Sequence, residues 1–443
     1  METKIDFIAG NTKRCLFAMA LPMMMAMYLN MAYNIVDSIW IGNLLGETAY
    51  AALTNSTPVI LLLTSIAMGA TNGISILLSQ AIGAKDKRKT ESLIATSFAA
   101  VVFFSLLVTA LLECTLPAIL RVLQTPMETF NMAYSYLSIY ILGYLPVCLF
   151  LYFTAVLRSF GNSMFQAAAM LAATILNAVL DPIFIRKFGF HRAAIATVLS
   201  QSICLCFMFV YLHQKKLFSF HISLFNKHDV IPLIQKAIPS VIQQSIPAIS
   251  TTFLTALVSS YSITAIAAYG ISGKLETILL YPAMAFNMVL TTIAGQCKGG
   301  SRLDRAKDYL KCALGYGGGL LLFLSAIVVL FSKQLSFLFV NSAAAAQIVS
   351  IYFLIVGIGY IFNTVTNCHL GLLNGFGKPS KSMFLMIFYY IIIRMPLAYL
   401  LPKVGFGIIG IWVAILVSHL CAAAAAILIT VGEMRRSSKT TII

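Results

Sequence analysis

Residues 31–40 read MAYNIVDSIW, and the single carboxylate in that stretch, Asp37, decides what kind of protein this is. From Cys15 to Ile41 the chain has no other acid or amine. A run of about 27 residues, at about 1.5 Å rise each, makes a helix long enough to cross a bilayer. An acid inside a membrane is costly unless it is paired, hydrated or neutralised, so Asp37 reads as a functional position. Met23, Met27, Asn30, Asn34 and Asp37 follow helical spacing and share one face. That face is polar toward its C-terminal end and is expected to look into a water-accessible cavity.

The rest of the 443-residue chain agrees, with 60% hydrophobic residues and only 10% charged. This composition excludes an ordinary soluble domain and predicts an all-α polytopic membrane protein. Twelve apolar segments are expected, at about 15–41, 49–80, 92–118, 131–157, 164–185, 193–213, 237–260, 264–296, 309–331, 346–373, 381–401 and 407–431. The net charge of +16 points to membrane orientation and not to nucleic acid, because the basic residues cluster in short loops. With the N-terminus inside, the inner loops and ends hold 22 Lys and Arg against 6 outside, so both termini are expected to be cytoplasmic in the plasma (inner) membrane. Arg186, Lys187 and Arg192, in one outer loop, run against that rule.

Loop motifs repeat at a fixed distance. SQAIGA around Gln80 and Gly83 recurs as GQCKGG around Gln296 and Gly299, and LRSFGNS around Gly161 recurs as LNGFGKP around Gly377, both 216 residues on. Two six-helix bundles follow, 1–212 and 233–443, joined by a cationic linker at 213–232. Six is even, so both bundles enter from the same side, related by a pseudo-twofold axis along the membrane normal.

Chemistry concentrates in the first bundle. Asn177 and Asp181 are one turn apart on the fifth segment, and Asp37, Asp181 and Thr197 are expected at a similar depth, about 6 Å below the outer surface. Two carboxylates, an amide and a hydroxyl supply hard oxygen ligands for Na⁺, and two close carboxylates also suit proton uptake. Lys274, Glu276 and Arg394 read as structural ion-pair residues and His369 as a packing residue, because nothing clusters around them in sequence. The nine cysteines read as small buried hydrophobes, and METKIDFIAGNTKR does not read as a cleavable signal. GISGK at 270–274 and FGKPS at 376–380 lack the spacing of a phosphate loop. No catalytic constellation is visible, so no enzyme activity and no cofactor are expected.

NIVDSIWIG, LSQAIGAKD, AVLRSFGN, ILNAVLDPIFI, AAIATVLSQ and IPSVIQQS, in that order, resemble the recurrent motifs of the multidrug and toxic compound extrusion (MATE) family of cation-coupled antiporters. The resemblance covers nearly the whole chain. It implies that Asp37, Asn177, Asp181 and Thr197 form the cation and proton site of prokaryotic members, and that Pro22 is a helix bend. It implies substrate contact at Asn30; Asn34 and Met27, on the same face of the first segment, and Gln243 and Gln244 are further cavity candidates. Gln243 and Gln244 in the seventh segment and Asn363 and Asn367 in the tenth stand where NorM-type members carry acids, so the pattern is closer to DinF-like members. Arg192, five residues before Thr197, departs from the usual glycines and is placed to approach Asp181. The expected activity is export of amphipathic organic cations by a monomer in exchange for H⁺ or Na⁺, with a flippase of lipid-linked precursors as the alternative.

Overall fold

The computed structural model describes residues 5–45, 47–123, 125–188, 191–215 and 224–440. Among them there is no strand; the chain is a succession of long helices. The first half comprises α1 (Thr12–Leu45), α2 (Glu47–Gly83), α3 (Lys87–Val122), α4 (Met127–Leu142), α5 (Tyr144–Ser159), α6 (Ser163–Phe188) and α7 (His191–Lys215). The second comprises α8 (Lys227–Ser259), α9 (Ile263–Gly299), α10 (Leu303–Phe337), α11 (Ala343–Val356), α12 (Gly359–Gly375), α13 (Pro379–Met386), α14 (Met395–Leu401) and α15 (Gly407–Thr440). Between α13 and α14 the chain winds as a π-helix, Ile387–Arg394, and a second π-helical stretch, Pro402–Phe406, follows α14.

The duplication is written into the backbone. Glu47 and Ile263, Lys87 and Leu303, Met127 and Ala343, Ser163 and Pro379, and His191 and Gly407 begin matching elements, each pair 216 residues apart. The left-handed turn residues match in the same way: Lys85 with Ser301 (φ 57° and 56°), and Gly161 with Gly377 (φ 80° and 70°).

Two of the twelve expected segments are bent spans. The pair α4 and α5 turns by 49° at Gly143, and α11 and α12 turn by 53° before Gly359. Each of these helices has 14 to 17 residues, at most about 26 Å, too short alone for a hydrocarbon core of about 30 Å. Gly143 and Gly359 are repeat-matched, and both allow a close approach. A Cβ at Gly143 would run into the Val198 side chain, and one at Gly359 would lie 2.9 Å from the His419 ring. The stretch Pro379–Arg436 is 58 residues long and far exceeds one crossing. It breaks at Gly405 and Gly407, with φ of 102° and 54°, a conformation that glycine adopts without cost.

The chain divides into two compact units. One contains Leu21–Ile82 and Asp86–Ala237; the other contains Asp6–Ala20, Gly83–Lys85 and the chain from Ile238 onward. The division falls later than the sequence boundary, and part of the expected 213–232 linker is helical, since α7 reaches Lys215 and α8 starts at Lys227. Asp229 explains why: it is 1% exposed, ion-paired with Lys89, and accepts from Ser92 Oγ at 2.7 Å, which fastens the start of α8 to the first unit.

Each unit has its own core. In the first, Tyr136, Tyr140, Tyr144, Tyr152 and Phe153 lie among aliphatic side chains, and the Tyr144 hydroxyl donates to Leu63 O at 2.9 Å. In the second, Trp412 stacks on Tyr269 (5.7 Å between ring centres) amid Leu254, Leu321 and Phe353. Burying two such aromatic clusters supplies packing that lipid cannot, because hydrocarbon tails are as apolar as leucine.

Candidate functional site

The first unit brings acids from α1 and α6 together. Asp37, at 8% exposure, and Asp181, fully buried, place their carboxyl groups within interacting range of each other. Asn177, one helical turn before Asp181 and also fully buried, donates from Nδ2 to Asp181 Oδ1 at 2.9 Å. Below them Thr174 Oγ1 donates to Leu29 O at 3.4 Å and ties α6 to α1. Thr197 on α7 is buried, with its carbonyl accepting from Ser200 Oγ at 2.9 Å. Asp37, Asn177, Asp181 and Thr197, drawn from three helices, therefore share one buried neighbourhood.

Two tyrosines complete it. Tyr33, one turn before Asp37 on α1, is buried beside Asp37, Asp181, Thr197 and Ser200. Tyr136 on α4 is buried within electrostatic range of Asp37, Tyr33 and Asp181. The sequence singles out neither. The i and i+4 relation of Tyr33 to Asp37 was the available signal; nothing in the sequence ties Tyr136 to the acids.

Asp37 Oδ1, Asp181 Oδ2, Asn177 Oδ1, Thr197 Oγ1 and the Tyr33 hydroxyl are all buried without a hydrogen-bond partner. All five are oxygens. Buried polar atoms are normally satisfied, so a cluster of partnerless oxygens around two acids suits a ligand that brings positive charge. Among the described residues no basic side chain shares this cluster. The expected approach of Arg192 to Asp181 lies outside the described side chains.

The predicted polar face of α1 is split. Met23 and Asp37 are buried and Met27 half-buried, whereas Asn30 and Asn34 are exposed, with Asn34 Nδ2 donating to Asn30 O at 2.7 Å. Asp37 lies at the edge of that face and turns inward with Tyr33. Pro22 is buried inside α1, two residues after the point where the two units divide that helix. In the second unit Gln243 is 2% exposed with Oε1 partnerless, and Gln244 is half-buried. His369 is 4% exposed with Nδ1 partnerless, and Lys274 is exposed, its Nζ 5.4 Å from the centre of the Phe339 ring.

The sequence profile of the family described as MatE matches residues 22–183 and 239–400, one match in each half. A Bacillus subtilis (strain 168) protein described as "Probable multidrug resistance protein YpnP" is 27% identical over 432 residues, covering 94% of this chain and 95% of that one. A Shewanella oneidensis protein described as "FAD transporter" is 24% identical, covering 95% and 94%. Among solved structures, an outward-facing multidrug resistance MATE family transporter of the MOP superfamily superposes with a TM-score of 0.93 at 22% identity, covering 99% of this chain and all of that one.

Proposed function

Because the chain belongs to the MatE family of membrane transporters, a multi-pass fold whose named relatives move small molecules, we propose that it is a multidrug exporter coupled to H⁺ or Na⁺ at the Asp37–Asp181 site. The observation that carries this reading is the set of five partnerless buried oxygens from Tyr33, Asp37, Asn177, Asp181 and Thr197.

The chemistry follows from charge. Two buried carboxylates repel each other, and a bound proton or Na⁺ between them removes the repulsion while the amide and hydroxyl oxygens complete its coordination. Ion binding then favours whichever conformation brings α1, α6 and α7 close together, and a cation can drive transport only through such differential affinity. Asp37 lies on the helix that carries Pro22, Met27, Asn30 and Asn34, so a rearrangement at the acid passes along α1 to the exposed amides. Those residues, with Gln243 and Gln244, are the substrate contacts of this reading; the proline is the bend point. Amphipathic organic cations are the substrate class, exported by a monomer with both termini cytoplasmic. The relatives are named as transporters, and no enzyme activity or cofactor is assigned.

The test is efflux from proteoliposomes under separately imposed Na⁺ and pH gradients, with a panel of cationic dyes and with FAD, the anionic compound named for one relative. Gradient-driven dye export that is lost in Asp37→Asn and Asp181→Asn is the expected result. Export of FAD but no dye would replace the substrate class, and full gradient-driven export by Asp37→Asn would remove the coupling assignment.

A further inference from the structure

The second unit holds a buried polar cluster that the proposed cycle does not use. Arg394, at 6% exposure, ends the π-helix of Ile387–Arg394. Its Nη2 donates to the Tyr389 hydroxyl at 2.9 Å and its Nε to Ser418 Oγ at 2.9 Å. The winding makes the first bond possible: residues five apart diverge around an α-helix but align in a π-helix, where the i to i+5 relation defines the turn. Pro396, which has no N–H to give back to the helix, follows two residues later. Tyr389 and Tyr390, themselves 4.1 Å apart, both pack against the guanidinium from the same segment, with ring centres 4.8 and 4.4 Å from its central carbon. The Tyr389 hydroxyl is also hydrogen-bonded to His419 Nδ1 on α15 and accepts from Asn363 Nδ2 on α12 at 3.3 Å. Arg394 is thus a cation fixed in place from three elements.

Within electrostatic reach of this charge lies an acid, Glu276, half-buried on α9. It is bordered by Tyr352 on α11 and Tyr360 on α12, with Tyr269 from its own helix and Tyr390 opposite. Glu276 and Arg394 are not in direct ion-pair contact among the described residues. Beside Glu276 the hydroxyls of Tyr352 and Tyr360, and against those rings the Trp412 indole N–H and His419 Nε2, are buried without close hydrogen-bond partners. All four side chains are at most 1% exposed. This is a built polar site that holds one acid and one permanent cation, since a guanidinium does not lose its proton in proteins.

We propose that Arg394 is the built-in cation of the second unit: it supplies to Glu276 the charge that a transported ion supplies to Asp37 and Asp181, and its removal opens a monovalent-cation site at Glu276, Tyr352 and Tyr360. Arg394 then sets ion stoichiometry, by denying the second unit an ion of its own. The inference rests on the coupling reading given for the first unit.

Nature has provided the reporters. The chain has two tryptophans, Trp40 three residues from Asp37 and Trp412 inside the second cluster. In Trp40→Phe protein, Trp412 emission is expected to be unchanged by Na⁺ titration and by a change of pH. Introducing Arg394→Gln should make that emission respond saturably to Na⁺, and adding Glu276→Gln should abolish the response. In Trp412→Phe protein, Trp40 should respond, and Asp37→Asn should remove that response. Failure of the Trp40 arm alone strikes the coupling reading; the Trp412 arm judges the role of Arg394 separately. A saturable Trp412 response with Arg394 intact, persisting in Asp37→Asn and lost in Glu276→Gln, would overturn the proposal, as would an Arg394→Gln protein blind to cations. Should Arg394→Gln prove too unstable to purify, the double variant Glu276→Gln/Arg394→Gln should recover its yield, because both partners are then neutral. Equal loss in the double variant would also overturn the pairing.

Discussion

The two units answer the same physical problem in different ways. The first sets two buried acids, Asp37 and Asp181, against each other with no basic side chain among their described neighbours, while the second sets a half-buried acid, Glu276, within electrostatic reach of a fixed arginine. The repeat preserved backbone and not charge. At the 216-residue offset Asp37 corresponds to Phe253, Asn177 to Ile393, Asp181 to Leu397 and Thr197 to Val413, while Glu276 corresponds to Ile60 and Arg394 to Ala178. An aromatic position near the acids is shared: Tyr136 and Tyr352 are repeat-matched, and each lies within electrostatic range of its own unit's acid. A duplicated scaffold can therefore hold an ion site in one half and a self-neutralised site in the other, because burial is set by the fold and charge balance by a handful of side chains.

This contrast is open to attack by substitution. Arg394→Met should destabilise the protein most, by about 1.5–3 kcal/mol for each of the two buried charge-assisted hydrogen bonds it removes, to Tyr389 and Ser418, and it also takes the nearby positive charge from Glu276. Thermal unfolding in detergent reads this directly, and Asp37→Asn, which relieves a repulsion, should show no such loss. An Arg394→Met protein as stable as the parent would erase the difference between the units. Asp37→Asn should instead remove the roughly 5–150-fold effect that a coupling ion can exert on substrate affinity, measured as dye binding with and without Na⁺ and at two pH values. A matching loss in Glu276→Gln would make the two sites equivalent. Gly143→Ala and Gly359→Ala should each cost about 1–3 kcal/mol through overpacking against Val198 and His419, and unequal costs would show which bent span tolerates repacking. Asn34→Ala, on the exposed side of α1, should change stability by no more than about 0.5 kcal/mol while altering the dye profile; a large stability loss would place Asn34 in the packing of the first unit.

Much of the architecture was legible in the sequence because it depends on local pattern. Long apolar runs, the 216-residue offset and the four-residue spacing of Asn177 and Asp181 all follow from helix geometry and bilayer thickness. The bends at Gly143 and before Gly359 were not legible, because a glycine inside an apolar run becomes a break only when another helix presses on it. The spacing put Asn30, Asn34 and Asp37 on one face looking into a water-accessible cavity, whereas the split between inward Asp37 and exposed Asn34 depends on how far the helix is rotated against α6 and α7. Glu276 and Arg394 lie 118 positions apart, so their relation had no local signature, and the π-helix that lets Arg394 reach Tyr389 could not be read from spacing. Tyr33 and Tyr136 were hidden for a different reason: in a chain with 19 tyrosines, most are packing.

The most direct test of a one-sided ion site is to count ions on purified protein, by saturation binding of radioactive Na⁺ and by proton uptake with an indicator dye. The account predicts a single saturable site, abolished by Asp37→Asn or Asp181→Asn and retained in Glu276→Gln. A site that survives Asp37→Asn and disappears in Glu276→Gln would contradict it.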